Sequence, residues 1–200
     1  MPPATAKIPK KKVRIELDEY LIRTLIMDDA SDRWAGWMSD PEVVHMLNAA
    51  PRKMTRSDIV NYIKSFNQRS DLLLGIFDKR SGTHIGFFTI NADYVLSQGI
   101  VNLLIGDPAH RHHGVLSAVR RRFAEYFFEA LGLKTMMATA LKRNQIILDT
   151  LLKAGWILNG TLNQHVKSYS DGTMLDLCLL SLSIDTWRKR NKIGTTGPGA

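Results

Sequence analysis

Residues 107–131, DPAHRHHGVLSAVRRRFAEYFFEAL, decide the fold because they join a strand to a helix through a short polar loop. The apolar run Ile100 to Ile105 precedes them, and Gly106-Asp107-Pro108 ends that strand. Apolar residues then recur at every fourth position, at Val115, Val119, Phe123, Phe127 and Leu131. This spacing predicts a helix, which Gly132 ends.

The loop Arg111-His112-His113-Gly114 lies at the N-terminus of this predicted helix. The first backbone N–H groups of a helix have no partner within it, and the helix dipole adds partial positive charge there. Gly114 would let an anion approach the backbone, and Arg111 could add a charge-assisted hydrogen bond. The loop therefore predicts a phosphate site, although an ordinary strand-to-helix turn with solvated basic residues has the same pattern.

The chain has 200 residues, enough for one domain, and its apolar fraction of 44% is ordinary for a globular protein. No apolar run is long enough to cross a bilayer, and no apolar segment follows the N-terminal lysines, so we expect neither a membrane span nor a secretory signal. Cys178 is the single cysteine and lies in an apolar run, which favours a buried thiol and excludes an internal disulfide. We expect a cytoplasmic protein.

The formal net charge is +8, from 27 Lys and Arg against 19 Asp and Glu. Eight of the basic residues lie in residues 1–12 and 188–200, which hold no acidic residue. The body between these two ends is neutral, so nucleic-acid binding is not expected of it. We predict a disordered basic tail at residues 1–12 and a flexible basic tail at residues 188–200.

Hydrophobic period and turn residues predict the other elements. Two short paired strands come first, and residues 55–66 follow with a capping box and a helical apolar face. Three strands at hairpin spacing lead to the opening stretch, and a strand, a helix and two strands come after it. The predicted strands are residues 13–17, 20–25, 72–78, 84–94, 100–105, 134–142, 156–166 and 174–183, and the last helical turn is 185–188.

The loop from Arg111 to Leu116, after Asp107-Pro108, resembles the acyl-CoA pyrophosphate loop of the GNAT acetyltransferase superfamily. That loop usually reads Gln/Arg-x-x-Gly-x-Gly/Ala, and the chain departs from it at Leu116. A second segment, Asn144-x-x-Ile147 followed by Lys153-Ala154-Gly155-Trp156, resembles the family's helix beside the pantetheine arm. The order of predicted elements is also similar to that of RimJ/RimL-like members of the superfamily.

This resemblance implies an α/β (α+β) protein with the GNAT fold. The fold has a mixed, mostly antiparallel central sheet of about seven strands flanked by helices, and the sheet is splayed at its fourth and fifth strands. Residues 13–187 would form the single domain. Resemblance places the fourth strand at Ile100 to Gly106.

The resemblance also implies acetyl-CoA as cosubstrate and no metal. The backbone of Leu104 to Gly106 would hold the pantetheine and the thioester, and the loop with the first turn of the helix would hold the pyrophosphate. Asn144 would bind the pantetheine arm, and Leu151 would lie beside it. The predicted cofactor-binding residues are Leu104, Ile105, Gly106, Arg111, His112, His113, Gly114, Val115, Leu116, Ser117, Asn144 and Leu151.

Proton transfer is where the chain departs from the family pattern. Many GNAT enzymes have a tyrosine seven residues after the asparagine, and this chain has Leu151, which cannot donate a proton. The fourth strand lacks the acidic residue of RimJ/RimL-like enzymes and offers only Asn102. The general acid and base are therefore not identified, and the candidates are His84, Asp93 and Asn102.

Two basic clusters have alternative interpretations. His110, His112 and His113 could suggest a metal site, but no carboxylate pair is spaced to complete one, so we expect polar residues of the CoA loop. Arg120, Arg121 and Arg122 are expected to pair with Glu125 and Glu129 one turn on. The three arginines could instead bind the adenosine 3′-phosphate or an acidic acyl carrier.

The sequence therefore predicts an N-acetyltransferase that moves acetyl from acetyl-CoA to a primary amine by direct attack. A peptide N-terminus, an amino sugar, a polyamine or an antibiotic could supply the amine, and a homodimer is left open. One alternative is an acyltransferase for a longer acyl-CoA or an acyl carrier protein, because Leu116 and Leu151 make the CoA side apolar. The other is a catalytically silent module that binds CoA or a partner, because the usual acid and base are missing.

Overall fold

A computed structural model describes residues 8–193, and its eight strands form one sheet. All eight predicted strands are present, with ends that differ by a few residues from the expected bounds. The strands are β1 (Arg14–Glu16), β2 (Tyr20–Thr24), β3 (Asp71–Asp78), β4 (His84–Asp93), β5 (Gln98–Ile105), β6 (Thr135–Leu141), β7 (Ile157–Lys167) and β8 (Met174–Ser183).

Six α-helices flank the sheet within residues 8–193. The predicted helix of residues 115–131 is α4, which continues into a π-helical turn at Tyr126–Ala130. The helices are α1 (Asp32–Trp37), α2 (Pro41–Leu47), α3 (Arg56–Lys64), α4 (Val115–Glu125), α5 (Gln145–Lys153) and α6 (Ile184–Ile193).

The sheet has the order β1-β2-β3-β4-β5-β6-β8-β7, and every neighbouring pair is antiparallel except β5 and β6. The expected mixed, mostly antiparallel sheet is therefore confirmed. It has one strand more than the expected seven because β1 pairs with β2 as a short N-terminal hairpin. The strand Ile100 to Ile105, expected as the fourth, is consequently part of the fifth.

The two central strands pair over only three residues and then part. Gln98–Ile100 of β5 lie opposite Thr135–Met137 of β6. The antiparallel pairing of β5 with β4 continues to Ile105, and that of β6 with β8 continues to Leu141. Beyond Ile100 and Met137, each strand therefore has a neighbour on one side only, and the edges that face each other have no partner strand.

Apolar cores cover both faces of the sheet, because successive residues of a strand point to opposite faces. On β3, Leu72 and Leu74 belong to the core beneath α4 and α5, whereas Leu73 belongs to the core beneath α1 and α3. Trp34 and Trp37 are both 3% exposed in this second core. These two layers of helices fix the position of the gap between β5 and β6.

The predicted terminal tails are shorter than expected. The backbone N–H of Lys11 donates to the carbonyl of Gln68 over 2.6 Å, and Arg69 donates to the carbonyl of Ile8. Residues 8–12 are therefore bound to the domain, and residues 1–7 of the predicted basic tail lie outside the described residues.

The C-terminal helix is longer than the predicted single turn. Helix α6 continues to Ile193 because its Trp187 packs on Phe128, with ring centroids 5.4 Å apart, and Arg188 forms an ion pair with Glu129 over 3.0 Å. The first part of the predicted flexible tail is therefore helical. Residues 194–200 lie outside the described residues.

Candidate functional site

A cavity of about 560 Å³ lies where β5 and β6 part. Its wall takes residues from both strands, from the inner faces of α4 and α5, and from α6. The cavity is lined on the strands by Val101, Asn102, Leu103, Ala138, Thr139, Ala140 and Leu141, and on the helices by Leu116, Phe123, Ala124, Asn144, Ile147, Leu151, Ala154 and Trp187.

The N-terminus of α4, next to this cavity, has no side-chain cap. The other N-termini from α1 to α5 have one: Ser31, Asp40, Thr55 and Asn144 each accept a hydrogen bond from their own helix. The first N–H groups of α4 are thus left available to a ligand, which is the arrangement that binds phosphate.

Gly114 is the N-cap of α4 and has a φ of 76°, in the left-handed region that favours glycine. A Cβ built on Gly114 would meet no atom within 4 Å, so the space in front of the helix is open. The predicted approach of an anion to the backbone at this residue is therefore sterically free.

The guanidinium of Arg111 does not face this space. Its Nη1 and Nη2 donate to the two carboxylate oxygens of Asp40 over 3.0 and 2.5 Å, and Nη1 also donates to Glu42 over 2.7 Å. The side chain of Arg111 is only 9% exposed. Because two carboxylates already hold it, Arg111 fastens the loop to α2 and does not present its charge to a phosphate, contrary to expectation.

The same carboxylates hold the next residue of the loop. The Nε2 of His112 lies 2.5 Å from a carboxylate oxygen of Glu42, and His112 has a φ of 61°. Hydrogen bonds from His112 and from Arg111 lower the pKa of Glu42, and the hydrogen bond from Arg111 lowers that of Asp40. The loop conformation is thus fixed from outside, and of the two loop histidines only His113 is left to an incoming ligand.

Asp107, at the start of the loop, is 1% exposed and lies under three hydrogen-bond donors. It accepts from the backbone of Ala109 over 3.2 Å and from Arg33 over 2.7 Å, and the Nδ1 of His110 lies 2.7 Å away. The Nε2 of His110 lies 3.1 Å from Asp78. His110 therefore bridges two carboxylates and is part of the support of the loop.

Three of the predicted cofactor-binding side chains line the cavity, namely Leu116, Asn144 and Leu151. Leu104, Ile105 and Gly106 do not line it. Gly106 uses its N–H on the carbonyl of Ile85 and its own carbonyl on Arg111, and a Cβ there would lie 1.9 Å from the Trp37 ring. On β5 the cavity wall is formed by Val101 to Leu103, whereas the unpaired edge of the strand continues to Ile105.

The three candidates for proton transfer lie in different places. The ring of His84 is packed among Trp34, Trp37 and Phe77, with centroids 4.9, 5.1 and 4.9 Å away, and both of its nitrogens are buried without a partner. Burial lowers the pKa of His84 to about 4. His84 is thus a half-buried residue outside the cavity wall, with a pKa too low for an efficient base near neutral pH.

The carboxylate of Asp93 accepts from the backbone N–H groups of Val95 and Leu96, both over 2.9 Å, and so closes the turn between β4 and β5. It does not line the cavity either. Asn102 does, and it donates to Thr89 over 3.1 Å. Of the three, only Asn102 is placed near a ligand in the gap.

Charge is distributed unevenly around the cavity. Four cationic residues, Arg120, Arg121, Lys153 and Arg190, line it, and no Asp or Glu among residues 8–193 does. Of the three consecutive arginines only Arg122 has the expected carboxylate partner, Glu125, at 2.6 Å. Arg120 and Arg121 form no ion pair with a described residue, so they remain available to an anion.

Sequence reasoning missed the residues that close the cavity on the side of α2. Asn48, at the C-terminus of α2, donates to the carbonyl of Lys167 over 2.9 Å and accepts from the N–H of Tyr169 over 3.1 Å. Met46, Leu47 and Tyr169 line the cavity there. The one local signal was Asn48 itself, because asparagine tolerates the left-handed conformation that it adopts with a φ of 51°.

Within the described part of the chain, no group of three His, Cys, Asp and Glu side chains is placed to hold a metal ion. None of the helices described is both long and apolar enough to cross a membrane.

The family of the acetyltransferase (GNAT) domain matches residues 20–157. Among similar solved structures is the ribosomal-protein-S5-alanine acetyltransferase of Vibrio fischeri, with a TM-score of 0.70 and 16% identity over 88% of this chain and 98% of that chain. Another is the spermidine N-acetyltransferase of Vibrio cholerae with CoA and spermine, with a TM-score of 0.74 and 14% identity over 85% of this chain and 98% of that chain. No curated protein matches the chain.

At these identities the solved structures support the fold alone, and they agree with the observed sheet. The family match is different in kind because it covers more than half of the chain and includes both β5 and the uncapped start of α4. The chain therefore belongs to the GNAT family of acetyltransferases, which use acetyl-CoA as cosubstrate.

Proposed function

We propose that the protein transfers an acyl group from a CoA thioester to a primary amine, with the thioester held in the gap between β5 and β6. The main support for this proposal is that these strands part next to a helix that begins without a side-chain cap. The pyrophosphate would bind the N–H groups at the start of α4, and the pantetheine arm would pass Leu116 and Asn144 to the unpaired edge of β5.

The chemistry needs no covalent intermediate on the enzyme. The amine nitrogen attacks the thioester carbonyl carbon, the C–S bond breaks, and the proton lost by the amine ends on the CoA thiolate. A backbone N–H on the edge of Val101 to Leu103 is the group that would stabilise the oxyanion. Holding the two reactants together supplies much of the rate, because a bimolecular attack becomes effectively unimolecular.

We infer that water carries the proton. Among described residues the cavity wall holds no His, Asp, Glu or Cys, and Leu151 cannot donate. Asn102 can hold a water by hydrogen bonding, and Tyr169 is the phenol at the mouth beside α2. A mechanism that relies on positioning and water would give slow turnover that rises with pH, as more of the amine becomes neutral.

The positive charge of the cavity wall limits which amine can be the acceptor. A polyamine such as the spermidine named for the Vibrio cholerae structure carries several positive charges, and this cavity would set them beside four cationic side chains and no described carboxylate. Like charges placed in one cavity repel. We therefore propose an acceptor with a single amine, of the kind found at a peptide N-terminus, in preference to a polyamine.

Calorimetry with CoA and acetyl-CoA tests the cofactor half of this proposal. Gly114→Glu is expected to reduce CoA affinity by at least a hundredfold, because the new carboxylate would lie in front of the pyrophosphate site. Gly132→Glu is the matched control: Gly132 has a φ of 72° and equally open surroundings, so the backbone strain is similar. Equal CoA affinity in the two variants would reject the proposed site.

Release of free thiol against single amines and polyamines tests the other half. We expect turnover with peptides that have a free N-terminus and little with spermidine. Binding of acetyl-CoA without turnover on any amine would instead favour a silent CoA-binding module, which the missing acid and base make the rival function.

A further inference from the structure

The cavity continues past the point where β5 and β6 part. Met136 and Leu182 both line it, and they lie opposite each other on β6 and β8. Met136 is also opposite Gly99 of β5, where the two central strands are still paired. Because paired strands leave no space between them, this part of the cavity lies under the sheet, on the face covered by α4 and α5.

The length of the whole cavity can be read along β8. Leu177 and Leu182 both line the cavity and lie opposite Leu141 and Met136, the two ends of the cavity along β6. Five residues of strand span roughly 16 Å at about 3.3 Å per residue. Most of this length lies where β5 and β6 have parted, and the part under the paired strands is its end at Met136 and Leu182.

We call the part under the paired strands the inner chamber, defined by Ala124, Met136, Ala154, Trp156, Leu182 and Trp187. The six side chains are aliphatic or aromatic, with the indole N–H groups of Trp156 and Trp187 as their only polar atoms, and four of the six residues are less than 10% exposed. Lys153 and Arg190 line the cavity beside them, at its end next to α6. Ala124 and Ala154, on facing helices, leave the room that larger residues would fill. The chamber is therefore suited to a hydrocarbon chain and not to the charged parts of CoA.

The order of residues along α4 and α5 indicates that the chamber lies beyond the thioester end of a bound cosubstrate. The uncapped start of α4 is followed by Leu116 and, two turns later, by Ala124. On α5 the sequence is Asn144, then Leu151, then Ala154. A CoA arm that enters at Gly114 therefore passes Leu116 and Asn144 before it reaches Leu151, and the chamber follows.

We propose that the preferred acyl donor carries an unbranched apolar chain longer than acetyl, with the chain in the inner chamber. This rests on the proposed CoA site and specifies its substrate. Each methylene moved from water into an apolar site favours binding about fourfold. Helix α6 fixes the far end, because Arg190 donates to the carbonyl of Lys153 over 2.8 Å.

Calorimetry with CoA and with acetyl-, butyryl-, hexanoyl- and octanoyl-CoA tests the proposal. We expect affinity to rise at least tenfold from acetyl-CoA to hexanoyl- or octanoyl-CoA, and kcat/KM on a peptide amine to follow. Affinity that is flat or falls with chain length would overturn the chain-length proposal and leave the CoA site standing. If CoA itself does not bind, the proposed function fails instead.

A variant that fills the chamber locates the chain. Ala124→Phe is expected to lower the ratio of octanoyl-CoA to acetyl-CoA affinity at least tenfold. Ala130→Phe is the matched control, since Ala130 is exposed on the continuation of the same helix, and it should leave the ratio unchanged. Ala154→Leu, at a half-buried position, gives a second measurement if Ala124→Phe does not fold. An unchanged ratio in a folded chamber variant would contradict the proposal.

Discussion

For a single residue, the chemistry that its type suggests can differ from the role that its position allows, and His84 is an example. As a residue type it suggested a base, yet its position at the start of β4 places it under Trp34 and Trp37 with no hydrogen-bond partner. Asn144 and Leu151 behave in the opposite way: the family resemblance placed both beside the pantetheine arm, and both line the cavity. Local spacing was predictable, whereas burial by distant aromatic rings was not.

His84 makes stability depend on pH. Its pKa is about 4 when folded and about 6.5 when unfolded, so the unfolded chain binds more protons between these values. The free energy of unfolding should therefore fall as the pH drops from 6.5 to 4, by up to about 3 kcal/mol. Urea denaturation across this range measures the slope.

His84→Phe should remove this contribution, because phenylalanine does not titrate. His165→Phe is the control, since His165 is exposed on β7. Identical slopes between pH 4 and 6.5 in the wild type and in His84→Phe would show that His84 is not the titrating group.

At the scale of elements, α2 and the loop before α4 act as one unit. Asp40 caps α2 through the N–H groups of Glu42 and Val43, and the same carboxylate receives Arg111 from the loop. The two partners are separated by 71 residues, so no local pattern could have predicted that the arginine of the phosphate loop serves α2. Helix start signals, in contrast, are local: the capping box of Thr55 and Asp58 was expected and is present.

Replacing Arg111 should loosen this unit. Arg111→Met removes the hydrogen bonds to Asp40 and Glu42 and should lower the free energy of unfolding by about 2 kcal/mol near neutral pH. It should also weaken CoA binding, because the loop loses its support. Arg121→Met, at an exposed arginine without an ion-pair partner, should change stability by less than about 0.5 kcal/mol.

The effect of Arg111→Met should vanish in acid. Both carboxylates have pKa values below their unfolded values of about 4, so their stabilising effect is complete above pH 4 and is lost as the pH falls through the lowered values. Thermal unfolding at pH 7 and near pH 2 measures the difference. A gap between wild type and variant that is as large in acid would mean that the ion pairs are not its cause.

For the whole molecule, hydrophobic period and turn residues predicted the succession of strands along the chain, whereas the mixed sheet and the parting of β5 and β6 were expected from the family resemblance. The weak point was the C-terminus. Residues 188–193 are rich in Lys and Arg and looked like a tail, yet the apolar contact of Trp187 with Phe128 extends the helix through them. A basic segment with few apolar residues is predicted to be unstructured when the packing of its one aromatic side chain, here Trp187, is not foreseen.

Helix α6 should therefore matter for global stability. Trp187→Ala removes the contact with Phe128 and should cost about 3 kcal/mol in the free energy of unfolding. Lys189→Ala, on the exposed side of the same helix, is the control and should be nearly neutral. Equal denaturation midpoints for the two variants would mean that α6 contributes little to the fold.

The three paired residues between β5 and β6 have a further consequence. Strands β1 to β5 all precede β6 to β8 in the chain, so the sheet consists of two sequence-contiguous lobes joined along Gln98–Ile100 and Thr135–Met137. A chain cut near Gly132 would yield two fragments, each with its own strands and helices. A ligand lying in the gap would contact both fragments and favour their association. The extent of reassembly would therefore increase when the ligand is bound.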